Sequence, residues 1–267
     1  MRTLKQLMDL QDRVALITGG AGHIGLVLGE GLAELGASIV VLDVDQAAAA
    51  MTASTIAENY NVKTHTLAVD LTDMAAVQSA PQKVVDEFGR LDILIHSAAY
   101  GGDTKFPGWA VPFQQQTTEA WDRALRVNLT SAFALSQAAQ KPLMESGHGS
   151  IILLSSIYGL VGPDMSLYEG TTMNNPAGYG ASKGGLLQLM RYLATVLAPQ
   201  IRVNAISPGG VWRNQAEQFH ARYRARTPLD RMATEEDLKG AAAYLASDLS
   251  NYVTGHNLVV DGGWTIW

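Results

Sequence analysis

Tyr179 and Lys183 stand four residues apart in a glycine- and leucine-rich stretch, downstream of Ser155 and Ser156. On a helix, that spacing stacks the two side chains one above the other on one face. A phenol beside an ammonium has its anionic form favoured by the positive charge, which draws its pKa toward neutrality. Such a tyrosine is a usable general acid or base. Tyrosine and lysine also fall at this spacing by chance, so the rest of the chain must supply a site around them.

The elements upstream do so. Val14-Ala15-Leu16-Ile17 is a short apolar run of the kind buried on both faces of a sheet. It leads into Thr18-Gly19-Gly20-Ala21-Gly22-His23-Ile24-Gly25, then a helical pattern through Leu26, Leu28, Leu32 and Leu35, then a second strand at Ser38 to Leu42 ending at Asp43. Strand, glycine turn, helix and strand form the context in which a glycine-rich run cradles a pyrophosphate. The glycines permit a tight turn, and the helix start offers free N–H groups and partial positive charge. Asp43 falls near the position expected for an acid on an adenosine ribose, which favours NAD and repels the 2′-phosphate of NADP.

The alternation continues. Asp45 caps a helix over Gln46 to Asn59, and a strand at Lys63 to Val69 ends in Asp70-Leu71. Asp70 either accepts from an adenine amino group or caps the next helix with Thr72 and Asp73. That helix runs to Phe88, with Pro81 predicting a kink or break near Ala80. Leu91 to His96 is a fourth strand, and the small Ser97, Ala98 and Ala99 leave room where a nicotinamide ribose passes. Residues 100–116 hold Gly101, Gly102, Pro107, Gly108 and Pro112 and have no period, which marks a functional or mobile loop. Thr117 or Thr118 opens a long helix through Trp121, Leu125, Leu129, Phe133 and Leu135. Asn128 interrupts its apolar face, as a satisfied core polar group or as the holder of a water near the site. Further strands are predicted at Ser150 to Ser156, Ile201 to Ile206 and Asn257 to Val260, with helices at Ala177 to Ala198 and from Thr234 to Leu245. The fold class is α/β, one Rossmann domain over residues 1–267 built on a mostly parallel sheet.

Composition agrees. Of 267 residues, 47% are hydrophobic and 16% charged, which suits a folded globule. A net charge of −6 argues against a general nucleic-acid surface, and the absence of cysteine excludes disulfides and thiolate chemistry. The first thirteen residues carry Arg2, Lys5, Asp9, Asp12 and Arg13 and do not read as a signal peptide. No apolar run is long enough to span a membrane. A soluble cytoplasmic protein that binds neither nucleic acid nor membrane, and holds no metal, is expected.

In this order the motifs resemble the short-chain dehydrogenase/reductase superfamily in its compact single-domain form. The resemblance is carried by Thr18-Gly19 through Gly25, Asp70, the strand ending His96-Ser97-Ala98-Ala99, Asn128, Ser156, Tyr179-xxx-Lys183 and Pro208-Gly209. It implies a doubly wound seven-stranded parallel sheet in the order 3-2-1-4-5-6-7 and a nicotinamide cofactor. Tyr179 would exchange a proton with the substrate oxygen and Ser156 would hydrogen-bond it. Lys183 would hold the nicotinamide ribose and lower the Tyr179 pKa, and Asn128 would anchor a proton-relaying water. Cofactor contacts would come from Gly19, Gly22, His23, Ile24, Gly25, Asp43, Asp70, Leu71, Ser97, Ala98, Ala99, Tyr179, Lys183, Pro208, Gly209 and Val211. The chain departs from the family at His23, a glycine in relatives, whose side chain points outward or touches the pyrophosphate. His96-Ser97-Ala98-Ala99 likewise replaces the usual Asn-Asn-Ala-Gly. Twenty-three residues separate Ser156 from Tyr179, roughly ten more than usual, and the surplus at Pro163 to Pro176 falls over the substrate site. That insertion and the ending Gly262 to Trp267 resemble a subgroup linked to flagellin glycan modification and nonulosonic sugar synthesis.

Residues 160–177 and 210–232 are the expected substrate-side loops and lid, together with 100–116. Tyr158, Glu169, Asn174 and Arg213 are the candidate substrate contacts, suited to a sugar or sugar phosphate. Five arginines against Glu217 and Asp230 give the segment from Arg213 to Met232 a local charge of +3, which either clamps an anionic substrate or pairs with nearby acids. A reductase of apolar ketones, 3-oxoacyl or steroid-like, is the other enzymatic reading, and a dinucleotide-sensing protein the non-enzymatic one. The hydrophobic ending through Trp264 and Trp267 is costly to expose and is expected to pack on another subunit, as a homotetramer or a dimer.

Overall fold

The computed structural model describes residues 1–101 and 105–267. They form a seven-stranded sheet of parallel neighbours in the order β3-β2-β1-β4-β5-β6-β7. Its strands are β1 (Val14–Thr18), β2 (Ser38–Asp43), β3 (Thr64–Ala68), β4 (Ile93–His96), β5 (Gly149–Leu154), β6 (Ile201–Pro208) and β7 (Asn257–Val260). The helices are α1 (Leu4–Met8), α2 (His23–Ala33), α3 (Gln46–Tyr60), α4 (Met74–Phe88), α5 (Thr118–Leu125), α6 (Ser131–Ser146), α7 (Ala177–Val196), α8 (Glu217–Arg226) and α9 (Lys239–Ala246).

The central strands β1, β4 and β5 are buried at every position because both faces are covered. Successive residues alternate between two cores. Val14, Leu16, Val40, Leu42, Leu94, Ile151 and Leu153 meet α4, α6 and α7 on one face. Ala15, Ile17, Ile39, Val41, Ile95 and Ile152 meet α2, α3 and α9 on the other. Register pairs Thr18 with both Leu42 and His96, and Ile206 with Leu154, which aligns the carboxyl ends of the central strands along one edge. In open α/β sheets that edge carries the ligand.

Several boundaries answer to named side chains. Asp45 caps α3 by accepting from the N–H groups of Ala47 and Ala48, and Thr117 caps α5 through Ala120 N–H. The helix expected from Thr234 begins as a 3₁₀ turn at Glu235–Leu238, closed by a Thr234/Asp237 capping box, and becomes α-helical at Lys239.

Three expectations are corrected. Of the kink or break predicted near Ala80, the break does not occur: α4 runs on through Pro81, with Val77, Ala80, Pro81 and Val84 buried against the sheet. That packing outweighs the one missing N–H. The long helix expected from Thr117 is two helices separated by a π-helical turn at Arg126–Thr130. Trp264 is 2% exposed within its own chain, against Tyr158, Tyr223 and Arg226, so of the two tryptophans only Trp267 is left outward, 71% exposed. Part of the expected 100–116 loop, Gly102 included, lies outside the described residues. The remainder is pinned by Trp109, which is 2% exposed and donates from Nε1 to the Gly101 carbonyl at 2.7 Å.

Candidate active site

The turn after β1 is shaped by close approach. Gly19 has φ +61°, and a Cβ there would stand 2.7 Å from Ala98 Cα. Thr18 Oγ1 accepts from the Ser97 and Ala98 N–H groups at 3.2 Å each, locking the end of β4 against the turn. A Cβ on Gly25 would stand 2.1 Å from the Gly19 carbonyl oxygen, so α2 can start here only with glycine at this position. Among the described residues no side chain caps α2, whose N-cap is Gly22, and His23, Ile24 and Gly25 of its first turn line a cavity. An uncapped helix start of this kind fits the pyrophosphate of a dinucleotide.

On the other side of that cavity, α7 brings Tyr179 and Lys183 together. Lys183 is 2% exposed, its Nζ donates to the Leu154 carbonyl at 2.6 Å, and it lies 5.7 Å from the centre of the Tyr179 ring. Burial pulls the lysine down to about 7. Ser155 and Ser156 separate cleanly. Ser155 Oγ donates to the Lys183 carbonyl at 2.9 Å and holds α7 to the end of β5. Ser156 Oγ accepts from Tyr158 N–H at 3.2 Å and keeps its own proton for the cavity it lines.

Asn128 is wholly buried in the π-helical turn. Its Oδ1 accepts from Tyr100 N–H at 2.7 Å, and its Nδ2 donates to Ser182 Oγ at 2.9 Å. Ser182 in turn donates to the Tyr179 carbonyl at 2.8 Å. Asn128 is thus a satisfied polar group that ties the loop after β4 to the first turn of α7.

His96 ends β4 and is 1% exposed. Ser131 Oγ donates to Val127 O at 2.6 Å, so the His96 Nε2–H donates to Ser131 at 2.8 Å and Nδ1 has no partner among the described residues. Burial, with the Lys183 charge nearby, lowers this histidine from 6.5 to about 3. Below 6.5 the unfolded chain takes a proton here that the folded chain refuses until about 3, so stability falls as the pH drops through that window. At pH 5 the loss from this group is about 2 kcal/mol. His96→Asn should remove it, read as urea midpoints that fall less between pH 7 and 5 than in the parent; an unchanged slope would refute the assignment.

The cavity measures about 640 Å³. Of the residues expected to hold the cofactor, Gly19, Gly22, His23, Ile24, Gly25, Ser97, Ala99, Tyr179, Lys183, Pro208, Gly209 and Val211 line it. Asp43, Asp70, Leu71 and Ala98 do not. Asp43 Oδ2 accepts from Ala21 N–H at 3.1 Å, so it braces the glycine turn from the end of β2. Asp70 is exposed and accepts from the N–H and hydroxyl of Thr72, whose hydrogen bonds lower its pKa, while the cap of α4 is Asp73.

Among the expected substrate contacts, Tyr158, Asn174 and Arg213 line the cavity and Glu169 does not. The Glu169 side chain is exposed and its carbonyl accepts from Arg222. Of the two roles open to the lid arginines, pairing with nearby acids is the one the structure shows. Arg213 donates to Glu235 at 3.1 Å, Arg224 pairs with Asp230, Arg226 with Asp164 and Arg231 with Asp237. These arginines hold the lid together. Sequence reasoning passed over Tyr168, Met173, Phe219, Tyr223 and Met232, all cavity-lining. Phe219 and Tyr223, four apart on α8 and both buried, gave a readable signal beneath the arginines.

A family model described as enoyl-(acyl carrier protein) reductase matches residues 19–265. A probable galactose dehydrogenase of Rhizobium meliloti is 33% identical over 265 residues, covering 97% of each chain. A short-chain dehydrogenase of Leptospira borgpetersenii solved with bound NAD+ is 34% identical, with TM-score 0.84 over 99% of this chain and 96% of that one. A gluconate 5-dehydrogenase of Burkholderia cenocepacia solved with NADP and tartrate is 29% identical, with TM-score 0.88 over 99% and 100%. The chain belongs to the short-chain dehydrogenase/reductase superfamily. It is an NAD(P)-dependent oxidoreductase acting on CH–OH groups. Among the described residues no helix is long and apolar enough to cross a membrane, and no cluster suits a metal ion.

Proposed function

We propose that the protein interconverts a secondary alcohol and a ketone on a sugar-like substrate, using NAD. The observation that carries this reading is one cavity shared by Ser156, Tyr179 and Lys183 with a wall of hydroxyls and amides from Tyr158, Tyr168, Asn174, Asn175 and Gln215. Tyr223 adds to that wall: its hydroxyl accepts from Gly210 N–H and retains its own proton. Such a wall pairs with substrate hydroxyls, whereas an apolar chain would leave it unpaired.

When bound, the nicotinamide supplies the hydride acceptor or donor. Gly22 through Gly25 would hold its pyrophosphate and Lys183 its ribose. In oxidation the anionic Tyr179 oxygen takes the proton of the substrate hydroxyl as the C–H bond breaks and C=O forms. In reduction it returns that proton, and Ser156 donates to the oxygen on which negative charge develops. The positive charge of the Lys183 ammonium favours the anionic tyrosine. Asn128 orients the first turn of α7 through Ser182.

A panel of polyols, sugars and sugar phosphates, set against 3-oxoacyl thioesters and apolar ketones, tests the reading by absorbance of the reduced cofactor. Turnover confined to the thioesters or apolar ketones would overturn it, and the apolar side chains of Met173, Phe219 and Met232 make that arm worth running. Asp43 at the end of β2 supports NAD over NADP, because a carboxylate repels a 2′-phosphate. Asp43→Ser should reduce the NAD/NADP ratio of kcat/KM roughly tenfold, and an unchanged ratio would remove its role. The exposed Ile266 and Trp267 support a homotetramer, which a monomer by light scattering would contradict.

A further inference from the structure

Two tyrosines and an asparagine in the substrate wall form a hydrogen-bonded chain. Asn175 Nδ2 donates to Tyr168 Oη at 3.2 Å, and the Tyr168 and Tyr158 hydroxyls are 2.9 Å apart. The two phenols own two protons, and their mutual bond uses one. The other has no acceptor among the described residues, although Tyr168 is 9% exposed and Tyr158 mostly buried. A buried donor left so is costly unless a ligand supplies the acceptor.

The direction of the chain is set at its far end. Asn175 already fills one acceptor position of Tyr168, so the favourable arrangement has Tyr168 donate its proton to Tyr158. Tyr158 then holds the unspent proton, and each bond in such a series polarises the next. Both rings are positioned beforehand. Tyr168 packs on Phe219 with centroids 5.3 Å apart, and Tyr158 stands edge-on to Trp264 at 6.2 Å. Tyr158 is two residues beyond Ser156, lines the same cavity as Ser156 and Tyr179, and its phenol feels the charge of Tyr179, so its hydroxyl serves the neighbourhood of the reacting oxygen. Burial raises the Tyr158 pKa, which keeps it a donor at every working pH.

We infer that Asn175, Tyr168 and Tyr158 form a donor relay that recognises a second oxygen beside the reacting carbon, so that the preferred substrate is a vicinal diol or, in reverse, an α-hydroxyketone. This rests on the alcohol dehydrogenase reading above and narrows its substrate class. The relay belongs to the insertion: Tyr168 and Asn175 both lie within the extra residues between Ser156 and Tyr179.

The test is the ratio of kcat/KM for cis-cyclohexane-1,2-diol to that for cyclohexanol. The parent should favour the diol about tenfold or more. Tyr158→Phe deletes the donor and should bring the ratio near one. Asn175→Asp replaces the donor amide by an acceptor, so Tyr168 turns its proton toward the carboxylate and accepts from Tyr158. The relay then runs backward, and the ratio should fall as far as in Tyr158→Phe. Tyr168→Phe leaves the Tyr158 proton in place and should cost less than threefold. Tyr158→Phe and Asn175→Asp each alter a single atom, and either alone decides the matter if the other fails to fold. A parent that oxidises cyclohexanol as well as the diol overturns the relay, and so does a ratio that survives either substitution within twofold. If the parent oxidises neither alcohol with either cofactor yet turns over a sugar or polyol, the relay falls and the dehydrogenase reading stands; if it turns over no alcohol of the wider panel, the sugar-alcohol reading falls and takes the relay with it.

Discussion

Tyr179→Phe is expected to lower kcat by roughly 10³-fold, the scale of losing a positioned general acid or base. Affinity for the reduced cofactor, followed by fluorescence titration, should stay within about threefold, since the ring and its helix remain. This separation matters because α7 also carries Lys183, and disruption of the helix would damage binding and turnover together. The structure argues against such disruption. The first two turns of α7 are held by backbone and neighbouring groups, through Ser182 to the Tyr179 carbonyl and Ser155 to the Lys183 carbonyl, and the Tyr179 hydroxyl takes no part in either bond. Ser156→Ala should cost less, about 10²-fold in kcat, because it removes one donor to the developing charge while leaving proton transfer in place. A Phe variant that keeps more than a tenth of parental turnover would exclude Tyr179 as the proton-exchanging group.

The fold was legible because its determinants are local and periodic. Apolar runs at Val14, Ser38 and Ser150 mark strands covered on both faces, and Gly25 at the start of α2 is demanded by a backbone approach to Gly19, a few residues away. The core of the site was legible for the same reason: Tyr179 and Lys183 share one helix face, and Ser156 stands just beyond the end of β5. What escaped depends on partners remote in sequence. Asn128 makes a π-helical turn worthwhile only because Tyr100 and Ser182 lie 28 and 54 residues away. Arg226 looks like a free cation until the fold brings Asp164 to 2.6 Å. In the insertion the polar Glu169 was the natural candidate, yet the neighbouring Tyr168 turns inward because Phe219 of α8 offers its ring a surface. Charge and polarity along a loop do not reveal which side faces in; that is decided by the element packed upon it.

Gly25→Ala is expected to abolish measurable cofactor binding and to lower stability by about 2–3 kcal/mol. The added methyl would stand 2.1 Å from the Gly19 carbonyl oxygen and 2.8 Å from Gly20 Cα, both backbone atoms that no rotamer change can move. Relief requires shifting α2 away from the turn. Little room exists for that, because Gly19 already abuts Ala98, and Leu28 and Leu32 of α2 are fully buried in the sheet-facing core. The same shift would carry the N–H groups of His23 and Ile24 away from the phosphate position, so binding and stability should fail together. Gly240→Ala on α9 is the control: no atom lies within 4 Å of the added carbon. There the loss of chain entropy in the unfolded state should make the substitution stabilising by roughly 0.4–1 kcal/mol. Thermal melts of the two variants, with NAD titrated into each, would distinguish a steric requirement of the turn from a general sensitivity of helical glycines. If Gly25→Ala binds NAD with parental affinity, the glycine turn is not the cofactor cradle.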